Sequence, residues 1–286
     1  MLAGKTLVIS LPSTWVRKWG VKKGQELEIK ATGRMLNVEV LTENEVRKAV
    51  VKGGMNKRVL KWTLSCLHKK GYDAIEIIDY DKEQAEIVKE VVRDLFIGFT
   101  ITEQTEKRIL IEAISKAEEN TFKQVLRRAF LVTLELAERL KERLEHNEKI
   151  EDLTYLEKMN NQLTNHCERL LNKFDIDKEN KTFYYVIIWN LEKVADDYKY
   201  LIQNEPTKEI LNELNKVNQL LRNYYELFYK FDIMKLNEHA ENCKILKKKL
   251  FEKLENNPKI CHLYNIVQKI SDFYASTIAI NSSTNK

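Results

Sequence analysis

The sequence predicts an α+β chain in three parts: a small strand-bearing head at residues 1–42, a small α/β spacer at 43–115 and an all-α bundle at 116–286. Three observations carry that reading. All eight glycines fall within the first 98 residues, and the 188 that follow hold two prolines, Pro206 and Pro258. Glycine supplies the turns that strand-rich folds need, whereas a glycine-free, charge-rich tract reads as helices. Residues 1–70 carry 15 Lys and Arg against 5 Asp and Glu, while the remainder carries 33 against 38. Apolar residues make up 43% of the chain, enough to bury a core and too many for a disordered polymer.

The same arithmetic excludes several classes. No stretch approaches the ~20 apolar residues of a bilayer span, so membrane insertion is not expected; the longest candidate, Tyr184 to Trp189, is far too short. The N-terminus lacks a charged region followed by an apolar run and a cleavage site. Cys66, Cys167, Cys243 and Cys261 are scattered without a CxxC pair, which points to a reducing, cytoplasmic setting.

In the head, Lys5 to Ser10 reads as a strand rich in β-branched residues. Pro12 suits the first turn of a short helix, and Gly20 stands where a closing glycine belongs. Gln25 to Lys30 and Met35 to Val40 alternate polar and apolar residues with period two, and Ala31 to Arg34 between them is a hairpin turn. Trp15 and Trp19, four apart, are expected to share a helical face in a core. About 42 residues bury too little surface to stand alone. With no cysteine before Cys66, a partner chain is the expected remedy.

This head resembles the AbrB/SpoVT/MazE family of swapped-hairpin DNA-binding domains, on Gly4-Lys5, Val8 to Pro12, Arg17 and the run from Trp19 to Ile29. The resemblance implies a β-barrel made by two chains that interleave their hairpins, with basic residues of one face gripping double-stranded DNA. By position Lys5 and Arg17 fall on the family's basic residues; Val16 departs from a second arginine common there, and Lys18, Lys22 and Lys23 supply charge nearby. Such cations neutralise phosphates with little base discrimination. Arg17 and Arg34 have the fork that reads guanine edges.

In the spacer, a strand is expected within Val46 to Val51, a helix over Asn56 to Lys70 ended by Gly71, a strand at Asp73 to Ile78 and a helix at Lys82 to Phe96. Phe99 to Thr102 and Lys107 to Ala113 form a closing strand pair. No glycine-rich phosphate loop or nucleophile elbow occurs, so the spacer is read as orienting head against body. The basic stretch Lys57 to Lys61 extends the DNA-facing charge.

In the body, Phe122, Leu126, Ala129, Leu136, Leu140 and Leu144 form the stripe of a bundle helix, interrupted once by Thr133. Breaks near His146, Asp175 to Asn180, Pro206, Asp232 and Pro258 divide the rest, giving six helices of roughly 22 to 30 residues. An offset of 76 brings Leu191 to Tyr198 onto Val267 to Tyr274 and Cys167 onto Cys243, so the helices form two three-helix units. Glu192-Lys-Val-Ala-Asp196 resembles the Glu-x-x-x-Asp motif of the PhoU family, whose tandem three-helix repeats the region 116–280 matches. Head, spacer and body together resemble the archaeal PhoU-type regulators.

Glu and Asp at i and i+4 share one helical face, and their oxygens suit hard or borderline metals. The resemblance implies a divalent or iron ion there, with Glu192, Asp196 and Asp272 as candidate ligands; the alternative for Glu192 and Asp196 is a solvated face or ion pairs with lysine, and no other cofactor is expected. The second copy reads Gln268 to Asp272 and has lost one carboxylate. His166-Cys167 and Cys261-His262 are adjacent pairs that point about 100° apart on a helix, and neither chelates zinc alone.

The expected function is a cytoplasmic, homodimeric transcriptional regulator of phosphate uptake. Its head would bind a pseudo-palindromic site, and its body would report phosphate status through a phosphate transporter, a signalling protein, a metal or a small ligand. The alternative is a dimeric adaptor that modulates a phosphate transporter or its kinase without touching DNA. No enzyme is expected, since the histidines have no evident nucleophile partner.

Overall fold

The computed structural model describes residues 8–40, 46–115, 117–174 and 176–282, and its chain divides into two compact units, Met1–Val46 and Arg47–Lys286.

In the first unit a short helix α1 (Ser13–Lys18) follows Pro12, and two strands, β1 (Leu27–Thr32) and β2 (Met35–Val40), pair antiparallel. The turn between them is Gly33-Arg34, with Gly33 at φ +58°. Two-residue hairpins need that left-handed geometry to match strand twist. The expected strand at Lys5 to Ser10 is not formed where it can be seen: Val8 to Ser10 have no regular structure, and residues 5–7 lie outside the described residues. A strand exists through its hydrogen-bonded neighbour, and among the described head residues β1 and β2 pair with each other alone.

The second unit begins with β3 (Lys48–Lys52), α2 (Lys57–Lys69), β4 (Ala74–Ile78), α3 (Lys82–Leu95), β5 (Phe99–Gln104) and β6 (Arg108–Ala113). The sheet order is β3-β4-β6-β5; β3 and β4 are parallel, joined through α2, and the other pairs are antiparallel. Asn56 caps α2 by accepting from Val59 N at 3.0 Å. Asp81 and Gln84 form a capping box on α3. Buried Gln84 also donates to Met55 O and accepts from Gly54 N, tying the β3–α2 loop to α3. Gly53 is required there, because a Cβ would lie 2.2 Å from Asp79 O. Leu60, Leu64, Ile75, Ile77, Val88, Ile109 and Ile111 make a core between sheet and helices.

Six helices follow: α4 (Phe122–His146), α5 (Thr154–Lys173), α6 (Lys181–Gln203), α7 (Leu211–Tyr229), α8 (Ile233–Lys253) and α9 (Ile260–Asn281). They run 19 to 25 residues, shorter than expected because 3-10 turns at Glu151–Leu153 and Lys208–Ile210 take up two of the starts. Their apolar faces share a second, separate core. Thr133 does not break it: its hydroxyl donates to Ala129 O and accepts from Asn160 Nδ2 at 2.8 Å. A buried polar pair whose hydrogen bonds are made costs little.

Helix α5 joins the two cores, packing on α4 and α6 on one side and on α2 and α3 on the other. Arg169, 1% exposed, donates to the carbonyls of His68 and Tyr72, and Asn172 donates to Lys69 O. The last carbonyls of α2 are thus met by side chains of α5.

Candidate nucleic-acid interface and the carboxylate cluster of the body

The head's cations sit on local scaffolds fixed by backbone geometry. Arg17 and Lys18 occupy the last turn of α1, where positive charge suits the helix dipole. Arg17 Nε donates to Ser13 O at 3.3 Å, and Lys18 Nζ lies 5.5 Å from the Trp19 ring centre. Lys22 and Lys23 belong to a turn in which Gln25 N donates to Lys22 O and Lys22 N to the Gln25 amide oxygen. Arg34 sits at the hairpin tip. All of these cations are exposed, and none makes an ion pair with another described residue. Lys5 lies outside the described residues. Uncommitted cations are what phosphate contacts require.

The same unit leaves its apolar surface bare. Alternation along the strands puts Leu27, Ile29 and Ala31 opposite Val40, Val38 and Leu36, an unbroken apolar hairpin face. Ile29 is 58% exposed and Leu36 60%. Helix α1 buries none of its residues, and Trp19, expected in a core with Trp15, is 42% exposed. Among the described residues of the head none is fully buried, so the two tryptophans find no core there.

In the body, Glu192 and Asp196 do share one face of α6, and lysines fill the space between them. Lys193 Nζ lies 2.9 Å from Glu192 Oε1 and 2.8 Å from Asp196 Oδ2, and Lys199 lies 2.8 Å from Asp196 Oδ1. Lys199 also bonds Glu157 at 2.6 Å, and Lys69 of α2 bonds Glu168 at 3.1 Å. Burial would raise the Asp196 carboxyl, but hydrogen bonds from Lys193 and Lys199 outweigh it and hold it below its ordinary value. Burial raises Glu157 and Glu168. Asp272 on α9 accepts from Gln268 instead.

Among the described residues no three His, Cys, Asp or Glu side chains converge as a metal site, so Asp272 does not complete one with Glu192 and Asp196. These residues do not fit a divalent or iron ion, because ammonium groups already supply the positive charge that the carboxylates face. The lysine ion pairs are the alternative that the sequence left open beside a metal. Lys193 lies inside the Glu-x-x-x-Asp motif and Lys199 three residues beyond it, the spacing of helical ion pairs.

Residues 2–36 match the family model described as antidote-toxin recognition MazE, bacterial antitoxin. No curated protein and no solved structure matches the chain. The matched segment spans α1, β1 and the start of β2, where the uncommitted cations lie. Its AbrB/MazE-like character suggests a DNA-binding regulator, and no described helix is long and apolar enough to cross a membrane.

Proposed function

We propose that this protein is a homodimeric, cytoplasmic, DNA-binding transcription regulator of phosphate uptake, without enzymatic activity. The observation that carries the reading is the family match over residues 2–36, coinciding with exposed cations that make no ion pair with a described residue. Two chains interleave their hairpins into one barrel, which covers Ile29 and Leu36 and presents Lys5, Arg17, Lys18, Lys22, Lys23 and Arg34 from both copies to double-stranded DNA. The phosphate assignment rests on the Glu192 to Asp196 motif and the 76-residue repeat, which support a PhoU-like body of two three-helix units that answers to a phosphate transporter or signalling protein.

Recovery of bound DNA from cells, followed by titration of the recovered fragment over a salt series, tests this reading. Affinity should fall with a log–log slope of about −0.9 per neutralised phosphate. Arg17→Ala, lost from both copies, should weaken binding and flatten the slope by about 2. Recovered sites away from phosphate-uptake genes would refute the phosphate assignment alone. A dimer that ignores DNA at low salt would refute DNA binding and favour the adaptor.

A further inference from the structure

The two halves of the body differ in what covers their middle helix. In the first, α5 seats the α/β layer: Lys158 pairs with Asp94 at 3.5 Å, Gln162 donates to Arg93 O at 2.9 Å, and Arg169 and Lys173 reach Asp73. The offset of 76 carries Lys158, Gln162, Arg169 and Lys173 onto Met234, Glu238, Ile245 and Lys249 of α8. There the face is bare. Arg169 is 1% exposed, whereas Ile245 is 51%, Met234 is 73% and Phe251, further along, is 63%.

The bare face borders a groove between α7 and α8 that holds cavities of about 310, 380 and 140 Å³ in succession. It follows α7 from Glu213 to Lys230, about 26 Å at 1.5 Å per residue, a length that fits a helix and not a small molecule. Its walls change character along that length. Glu226 and Glu238 stand with Lys230 and Lys235 at one end, while Leu246 and Ile245 lead to Lys216 and Lys249 at the other, where Glu252 also lines the wall and Glu213 is held by Lys253 and faces the charge of Lys216. Lys216, Lys248 and Lys249 make no ion pair with a described residue. Apolar contacts flanked by uncommitted cations call for an apolar stripe flanked by carboxylates.

We propose that the outer face of α8, with the α7–α8 groove, docks an amphipathic helix of a partner protein, laying apolar residues over Ile245 and acidic residues over Lys216, Lys248 and Lys249. A second copy of this chain is a poor occupant through the equivalent contact. Its own α2 and α3, the helices that make this contact, are already seated on α5 of the same chain. The proposal is independent of DNA binding by the head.

The test places a photo-reactive benzoylphenylalanine at Ile245 of the full chain in cells, with Leu131 on α4 as the control position, and maps the adduct by mass spectrometry. The adduct segment is then synthesised and titrated onto the purified full chain at about 50 and 300 mM salt. The expected result is a segment with net negative charge and apolar residues at i, i+3, i+4 and i+7. Its binding should weaken at high salt and fall about tenfold or more in the Lys248→Glu/Lys249→Glu variant at unchanged melting temperature. The proposal is overturned by an adduct to a second copy, a nucleic acid or a lipid, or to a segment without that pattern. Binding indifferent to the lysine reversals, or labelling no stronger than at Leu131, overturns it equally.

Discussion

Arg169 of α5 donates its Nη2 to Asp73 Oδ1 at 2.6 Å, across the seam between the helical bundle and the α/β layer. Lys173 bonds the same oxygen, and the guanidinium lies 4.8 Å from the Phe99 ring centre. One buried cation thus closes the end of α2, pairs the residue just before β4 and covers an aromatic ring of the opposite core.

Arg169→Met keeps the volume and removes the donors. The carbonyl of Tyr72 then loses the Arg169 donor and that of His68 keeps the backbone N–H of Gly71, while Asp73 retains Lys173. Breaking a buried pair from one side costs roughly 3–5 kcal/mol. Urea unfolding should show a loss near the lower end, with the α/β layer exchanging amide hydrogens faster than the bundle core. A loss below about 1 kcal/mol would mean that the seam is held elsewhere.

Acid should loosen this seam. Burial pushes the Asp73 carboxyl up, but hydrogen bonding and charge from Lys173, then the charge of Arg169, outweigh it and leave it below its ordinary value. A depressed carboxylate contributes stability that is present above its unfolded pKa, about 3.9, and is lost as pH falls through the folded value. Asp73→Asn should therefore flatten the stability profile below about pH 4, read by denaturation at stepped pH.

Two histidines act over a higher window. Burial and the charge of Arg169 lower His166 from 6.5 to about 4, and burial with the same charge places His68 well below 6.5. Both stay neutral when folded and charge when unfolded, so stability falls on acidification below about pH 6.5, by about 1.4 kcal/mol per pH unit for each group. His68 is fully buried, stacks on Phe96 at 4.3 Å, and finds no hydrogen-bond partner among the described residues for either ring nitrogen. His68→Leu should leave stability at pH 7 within about 1 kcal/mol of the parent and halve the slope between pH 6.5 and 5. An unchanged slope would reject this assignment.

The carboxylate cluster of α6 gives a fourth expectation. Lys193→Met leaves Glu192 and Asp196 facing each other with one cation fewer. The cost should be about 2 kcal/mol, below that of a fully buried pair because the Lys193 side chain keeps 31% of its exposure. Glu192→Gln in that background should recover part of it, and a double-mutant cycle measures the coupling.

At the head, Ile29→Lys and Leu36→Lys place charge on the apolar hairpin face. Sedimentation of the full chain at about 10 μM should show a dimer for the parent and monomers for either variant, with the melting of residues 47–286 unchanged. A dimer that survives both substitutions would locate the association elsewhere.

The elements of the α/β layer were legible within one or two residues because their signals are local, whereas in the bundle 3-10 turns displace the starts of α5 and α7. Asn56 caps α2, Gly71 at φ +85° ends it, and Pro258 and Asn147 separate bundle helices at places where the chain turns. Of the expected first strand of the head only Val8 to Ser10 lie among the described residues, and they have no regular structure. The cations of the head were readable from residue type, as surface charge needs no tertiary context. The charge around the Glu192 to Asp196 motif was readable only in part: Lys193 and Lys199 stand at local helical spacing, whereas Lys69, from a helix more than a hundred residues earlier, is announced by no local pattern.

The capping of α2 by Arg169 and Asn172 also sets an order of events during synthesis. The donors lie 101 and 103 residues downstream of the carbonyls they meet. A ribosome adding about 5–20 residues per second needs roughly 5–20 s to deliver them after α2 has emerged. For that interval His68, Phe96 and Phe99 lack their lid, and the nascent spacer displays the greasy underside that α5 later hides. Premature termination before α5 would leave that underside permanently uncovered, making such a fragment a substrate for chaperones and proteases.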